Sequence, residues 1–192
     1  MKVIIRNVRI SYANLFEARA IKNADGSESD PKYSATFIID KKDKKTVKAL
    51  NEAIDDAGNT KFGEKKWASM RKKKDPLMDG DEETDDDGEV RPELEGKYFI
   101  RTSASTRRKP QVVDRKRQPI LSEDEIWSGC YVNASVNTFA FDVDVNKGVS
   151  FGLNNIQLLK EGDRLGGVAN AEEDFEEIED DDDDEDAGFE MN

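Results

Sequence analysis

An alternating segment in the second half of the chain, residues 131–141, most constrains the fold. Its even positions carry small side chains, at Val132, Ala134, Val136, Thr138 and Ala140. Successive side chains of a β-strand point to opposite faces of the sheet, so this pattern predicts a strand with one face in a closely packed interior. Side chains of this size suit the inside of a tight barrel. The segment therefore predicts a β-protein built around a small barrel.

The opposite face of the same strand has an unusual composition of amides, a hydroxyl and aromatic rings. It contains Tyr131, Asn133, Ser135, Asn137, Phe139 and Phe141. Base rings stack on aromatic side chains, while Asn and Ser bind base edges or phosphates, so this face is typical of a platform for single-stranded nucleic acid. In the alternative interpretation, Phe139 and Phe141 cover a second small core beneath a helical insertion.

Further strands are predicted on both sides of this segment. They occupy residues 2–10, 32–40, 97–105 and 148–160, and the strand around residue 131 starts near residue 129. Turn-forming residues at 22–31 join the first two strands into a hairpin. Five or more short strands without a long parallel crossover predict a mainly β protein with a small antiparallel barrel.

A helical insertion is predicted after the second strand, at about residues 43–74. Its apolar positions recur at helical spacing, at Val47, Leu50, Ile54 and Ala57. Asp43 is expected to cap the first helix and Gly58 to end it. A second helix is expected over about residues 60–73, with Phe62, Trp67 and Met70 on its apolar side.

Charge is strongly segregated along the chain, although the net charge is −13. Residues 171–192 contain 14 acidic and no basic side chains, and the acidic loop at residues 79–89 contains 8 acids and no bases. The rest of the chain has 21 acidic and 30 basic side chains, a net charge of +9. We therefore expect a basic domain over residues 1–168 and a disordered acidic tail over residues 169–192.

The composition excludes several functional classes. The chain has no histidine, which excludes catalytic sites and zinc sites built on imidazole, and its one cysteine, Cys130, cannot form an internal disulfide. The acidic loop does not match the spacing of a calcium-binding loop, and residues 162–167 lack the lysine of a phosphate-binding loop. We expect no catalysis, no metal and no cofactor, and a cytoplasmic location without a membrane span.

A cluster of basic side chains lies between residues 101 and 117. It comprises Arg101, Arg107, Arg108, Lys109, Arg115, Lys116 and Arg117, with Asp114 as the one acid. Pro110 and the following Val112 and Val113 favour a hairpin loop, which would guide a phosphate backbone. An ordinary solvated loop is the alternative. A second basic run, at residues 65–66 and 71–74, lies on the predicted second helix.

Several short motifs, in the same order, resemble those of a bacteriophage family of single-stranded-DNA-binding proteins that was first catalogued as a domain of unknown function. They are residues 75–77 with 79–81, 96–99, 108–114, 127–132, 147–153 and 162–167. The resemblance implies an OB-fold-like five-stranded antiparallel barrel with DNA across one sheet face. It also implies a role in phage DNA replication, recombination or repair inside the bacterial host cell.

The acidic tail has a predicted role of its own. A polyanion tethered near a basic groove competes with DNA there, and the resemblance implies that such a tail also recruits replication or recombination proteins. The residues predicted to bind partners are Asp180, Asp181, Asp182, Asp183, Asp184 and Phe189. A plain solubilising tail is the alternative.

Together these observations predict a non-catalytic protein that binds single-stranded DNA without strong sequence preference. Its phosphate contacts are assigned to the seven basic residues of the 101–117 cluster. Its base contacts are assigned to Tyr131, Asn133, Asn137, Phe139 and Phe141, with Tyr98, Phe99, Trp127 and Trp67 as lesser candidates. RNA binding and a homodimer are left open. The competing hypothesis is an acidic protein that mimics nucleic acid and binds a basic host or phage protein.

Overall fold

The described part of the chain comprises residues 1–20, 26–84, 88–143 and 146–165 of a computed structural model. The predicted acidic tail lies outside these residues, as do its partner-binding positions at 180–184 and 189. Parts of the predicted turn at 22–31 and of the acidic loop at 79–89 also lie outside them.

Strands dominate the described residues, with two α-helices between the second and third strands. The elements are β1 (Lys2–Arg19), β2 (Lys32–Asp40), α1 (Lys44–Phe62), α2 (Glu64–Arg71), β3 (Met78–Asp79), β4 (Lys97–Ser105), β5 (Gln111–Val113), β6 (Tyr131–Val143) and β7 (Asn146–Lys160). Short 3₁₀ turns cover Gly80–Glu82 and Glu123–Glu125. The strands at 32–40 and 97–105 have the predicted bounds.

Five of the strands close into a barrel, in the order β1–β2–β4–β7–β6 and back to β1. This confirms the predicted fold class. Four of the five pairings are antiparallel, while β4 and β7 run parallel where they close the barrel, at Thr102 opposite Phe151 and Ser103 opposite Gly152. The closing pair thus differs from the fully antiparallel barrel that we predicted, because strand direction follows from the chain path and is not visible in side-chain alternation.

The interior of the barrel is filled by the alternate positions of each strand. Val132, Ala134 and Val136 of β6 are buried, as their pattern predicts. They meet Phe37 and Ile39 of β2 and other side chains in one continuous core. The same alternation applies to β2 and β4. The residues between their inward-pointing side chains point outward.

The helical insertion packs against the barrel, and its first helix begins as predicted. The Asp43 carboxylate accepts a hydrogen bond from the Thr46 amide at 3.1 Å. Gly58, however, does not end this helix, which continues to Phe62 and stops at Gly63, where φ is +80°. A methyl group at Gly58 would lie 2.2 Å from the Trp67 ring, so this glycine permits helix packing rather than termination. No helix in the described residues is long and apolar enough to cross a membrane.

Candidate nucleic-acid interface

The outward side chains of β6, here called the β6 face, are largely engaged with one another and with neighbouring strands. The Tyr131 ring contacts two cations, with the Arg9 guanidinium 5.6 Å and the Lys160 ammonium 4.4 Å from its centroid. The Asn133 amide donates to Gln157 Oε1 at 3.0 Å, and its oxygen accepts from the Asn7 amide at 3.1 Å. Both ends of this amide are therefore satisfied within the protein.

The rest of the β6 face offers one exposed ring. Ser135 is buried, the Asn137 amide lies against Gly152, and the Phe141 ring lies against Gly148. Phe139 is 42% exposed. The strand alternation was thus predicted correctly, and partners from β1 and β7 occupy most of the polar and aromatic groups of this face. Base stacking on the β6 face stays a prediction.

The predicted basic loop is present as a small hairpin beside the barrel. β5 pairs in parallel with β7, and Val113 bridges to Pro119. The carboxylate of Asp114 accepts from the amides of Lys116 and Gln118, at 2.8 and 2.7 Å, and so shapes the turn. The basic side chains of this loop are exposed, at Arg107, Arg108, Lys109, Arg115, Lys116 and Arg117.

A cavity of about 560 Å³ opens between this loop and β1. Phe16 of β1 forms part of its wall, with the Lys109 ammonium 5.9 Å from the ring centroid. Arg117 adds a second cation, and Val112 and Leu121 add apolar surface. An aromatic ring next to two cations and apolar side chains is suited to a nucleotide, which combines a flat base with a charged phosphate.

A second cavity, of about 440 Å³, lies on the outward side of β1, β2 and β4, here called the β2–β4 face. Its lining includes residues with polar groups, at Tyr12, Asn14, Ser34, Thr36, Arg101, Ser103 and Ser150. Tyr12 is 59% exposed and has a φ of +48°, at an irregularity in the pairing of β1 with β2. A bulge of this kind re-aims a side chain out of the regular alternation.

One end of the β2–β4 face is covered by the segment that follows β3, here called the covering segment (residues 79–84 and 88–96). Leu94 packs on Ile38 and Phe99, and Phe99 is only 2% exposed. Glu83 accepts a hydrogen bond from Arg101 at 2.8 Å, and Arg91 donates to the Tyr12 hydroxyl. A gap of about 30 Å³ remains between the segment and the strands, about the volume of a single water molecule.

The covering segment is fastened at its base by Lys41. The Lys41 ammonium binds the carboxylates of Asp79 and Asp81, and Asp81 also accepts from the Gly96 amide at 2.6 Å. The hydrogen bonds to Asp79 and Asp81 raise the pKa of Lys41. The hydrogen bonds from Lys41 and the Gly96 amide lower the pKa of Asp81.

Four aromatic residues that we assigned to base contacts are engaged by other groups within the folded protein. Trp67 is buried and its indole donates to Asp55 at 3.0 Å, while Trp127 donates to the Gly162 carbonyl at 2.9 Å. Tyr98 is packed on the core beneath Lys41, and Phe99 is covered. Single-sequence patterns did not separate these rings from exposed ones, because their partners come from distant segments.

The second basic run extends from α2 toward the hairpin formed by β6 and β7. The Lys74 ammonium donates to Asn146 at 3.4 Å. Lys147 lowers the pKa of Asp142 through a hydrogen bond, with smaller contributions from the charges of Lys61 and Lys66. Arg71 of this run is not available, because it binds the carboxylates of Asp55 and Asp75, at 2.7 and 2.9 Å.

The sequence analysis missed several residues of the β2–β4 face and the adjoining cavity, namely Tyr12, Asn14, Phe16, Ser34 and Ser103. Of these, Tyr12 is followed by Ala13, Asn14, Leu15 and Phe16, so the sequence around it carries no distinct signal. The bulge that exposes it is not visible in the residue pattern.

Comparison with known proteins gives consistent results. Residues 1–187 match the family model described as the ssDNA-binding protein of Enterobacter phage Enc34. Protein p50 of Acyrthosiphon pisum secondary endosymbiont phage 1 is 32% identical over 182 residues, which cover 90% of this chain and 92% of that protein.

Solved structures show the same similarity. The single-stranded DNA-binding protein from bacteriophage Enc34 in complex with ssDNA has a TM-score of 0.69 and 26% identity, over 86% of this chain and 89% of that chain. A C-terminal truncation of the same phage protein has a TM-score of 0.68 and 25% identity, over 85% of this chain and 88% of that one.

Proposed function

Because this chain belongs to the family of the single-stranded-DNA-binding protein of Enterobacter phage Enc34, we propose that it binds single-stranded DNA on its β2–β4 face and catalyses no reaction. The observation that carries this proposal is the 440 Å³ cavity lined by the exposed Tyr12 ring and the Arg101 guanidinium. A ring that can stack a base and a cation that can bind a phosphate thus share one cavity.

The position of this cavity in the barrel supports the proposal. In an OB-fold the face of the second and third barrel strands binds oligonucleotides, and β2 and β4 hold those places here. The hydroxyl and amide groups of Asn14, Ser34 and Ser103 can bind base edges or phosphates without demanding one sequence. β6 borders neither β2 nor β4 in the closed strand order, so the β6 face points to another side.

The strand of DNA continues, in this proposal, along β1 to the cavity under the basic loop. Asn14 lines the first cavity and Phe16, two residues further along the same strand, lines the second. Alternate residues of a strand share a face, which makes the two cavities neighbours on one surface. Lys109 and Arg117 would bind phosphates there, with Arg107, Arg108, Arg115 and Lys116 adding longer-range attraction.

We further propose that binding serves DNA replication, recombination or repair in the cytoplasm of the bacterial host. Residues 171–192, with 14 acidic side chains and no basic ones, would compete with DNA for the basic surface. The same residues, with Phe189 near their end, would recruit replication or recombination proteins.

The test is a titration of labelled poly-dT and of a matched duplex with the full chain and with a 1–170 truncation, at two salt concentrations. We expect single-strand binding that weakens steeply with salt and is tighter for the truncation. Equal affinities of the two chains would refute the competing tail alone. Absence of single-strand binding by both would refute the proposed function and direct the search to basic protein partners.

A further inference from the structure

The β2–β4 face is one surface with an open and a covered part. Tyr12, Thr36 and Arg101 line both the open cavity of about 440 Å³ and the gap of about 30 Å³ beneath the covering segment. Beyond these shared residues the covered part contains Ile38 and Phe99, which point outward from β2 and β4. The covering segment thus ends the open cavity in the middle of a continuous sheet face.

The groups beneath the covering segment are those that a nucleotide site requires. Phe99 supplies an aromatic ring, and the Arg101 guanidinium lies 5.4 Å from its centroid. Ile38 supplies an apolar neighbour and Thr36 a hydroxyl. A base stacked on Phe99 would therefore find a cation for its phosphate at the boundary with the open cavity.

The contacts that hold the covering segment over these groups combine exposed polar bonds with a buried apolar contact. Glu83 binds Arg101 across a pair of side chains that are 38% and 62% exposed. Arg91 binds the Tyr12 hydroxyl, and Leu94 provides the apolar contact with Ile38 and Phe99. Glu83 and Arg91 thus engage two of the groups that the proposed function assigns to DNA, so the segment and the DNA cannot both use them.

We propose that the covered part of the face, at Ile38, Thr36 and Phe99, is a latent subsite for one further nucleotide of the bound single strand, and that the covering segment occupies it when DNA is absent. This inference rests on the proposed function of the face. DNA competes with Glu83 for Arg101 and replaces Leu94 on Phe99. DNA binding thus shifts the equilibrium of the segment from its covering position to a displaced one, and competition for these contacts is sufficient for that shift.

The first test compares two variants that remove the same charge from the covering segment. Glu83→Gln removes the negative charge of the ion pair with Arg101, whereas Glu95→Gln removes the charge of an exposed acid outside the residues that line the gap. We expect Glu83→Gln to bind poly-dT roughly two- to fivefold more tightly than the wild type, the range expected for an exposed ion pair. Glu95→Gln should show less than half of that gain. Equal gains in affinity would show that the effect comes from the change in net charge alone, which would overturn the inference.

The second test examines the aromatic ring. Phe99→Leu in the Glu83→Gln background keeps an apolar contact for Leu94 but removes the stacking surface, and should weaken poly-dT binding by about fivefold or more. Phe62→Leu in the same background, on the helical insertion, is the matched control and should have no effect. Unchanged affinity of a folded Phe99→Leu chain would overturn the subsite, while the wild type would still bind DNA and leave the proposed function intact.

Hydrogen exchange of the wild-type chain provides a measurement that needs no variant. The backbone amides of Val90, Arg91, Glu93 and Leu94 should exchange faster when poly-dT is bound, because the segment leaves the strands. Slower or unchanged exchange in the DNA complex would show that the segment stays in place, which would overturn the inference. A wild-type chain that fails to bind poly-dT would instead refute the proposed function and, with it, the subsite.

Discussion

The β6 face and the β2–β4 face have similar residues and different availability. Both present aromatic rings, amides and hydroxyls on the outside of the same barrel. On the β6 face the Tyr131 ring contacts two cations and the Asn133 amide is bonded at both ends. On the β2–β4 face the Tyr12 ring stands 59% exposed beside an open cavity.

This difference shows that residue type alone does not identify a binding surface. A polar or aromatic group that already has partners must give them up before it binds a ligand, and the cost offsets most of the gain. The β6 face therefore stabilises the barrel, whereas the β2–β4 face combines an exposed ring with polar groups that have exposed partners, such as Glu83 on Arg101. Matched variants on the two faces test this contrast.

The largest expected effect comes from the two exposed rings. Tyr12→Ala should weaken poly-dT binding by roughly tenfold or more, because one stacked base contributes about 1–3 kcal/mol. Phe139→Ala, the matched change on the β6 face, should leave the affinity within a factor of two. Fluorescence titration of both variants measures the two affinities. A larger loss of affinity for Phe139→Ala would indicate that DNA binds on the β6 face.

The next effect concerns salt dependence. The double variant Lys109→Gln with Arg117→Gln should reduce the slope of log affinity against log salt by about 1.4, since each single-strand phosphate contact contributes about 0.7. Lys160→Gln removes the β7 cation that contacts the Tyr131 ring of the β6 face, and it should leave the slope unchanged. Binding measured over a series of salt concentrations gives both slopes. Equal slopes for the double variant and the wild type would remove the basic loop from the DNA path.

A smaller effect tests the structural role of the β6 face. Asn133→Ala should lower the free energy of unfolding by about 1 kcal/mol, because it leaves Gln157 Oε1 and the backbone amide of Asn7 without the partner that Asn133 provides. Its affinity for poly-dT should match that of the wild type. Urea unfolding and DNA titration of the same preparation measure the two quantities. Weaker DNA binding at wild-type stability would contradict the assignment.

The smallest expected effect is a loss of stability in acid at the base of the covering segment. The folded-state pKa of Asp81 lies below its ordinary value of 3.8, so its contribution is complete above about pH 4 and is lost as the pH falls through the folded value. Asp81→Asn should therefore show a shallower decline of stability below pH 4. Urea unfolding at several pH values measures this, with Asp163→Asn as an exposed control. Parallel declines for the wild type and Asp81→Asn would exclude Asp81 as the cause.

Much of the architecture was accessible from residue patterns. The alternation at Val132, Ala134 and Val136 identified the barrel interior, and Asp43 identified the start of α1. Gly58 was misread because a glycine that ends a helix and one that admits a neighbouring Trp67 look the same in a sequence. The parallel contact of β4 and β7 was not accessible either, because it depends on the path of the chain between them.

The sequence by itself determined the local properties of this protein: the strand periods, the helical insertion, the basic hairpin and the separation of acidic from basic segments. These depend on side-chain character and spacing along the chain. Which outward face is available to a ligand depends on the tertiary structure. Asn133 is satisfied by Asn7, 126 positions away, and Arg101 is held by Glu83 across a loop. Availability is a property of contacts between distant segments, and such contacts exist only once the barrel has closed.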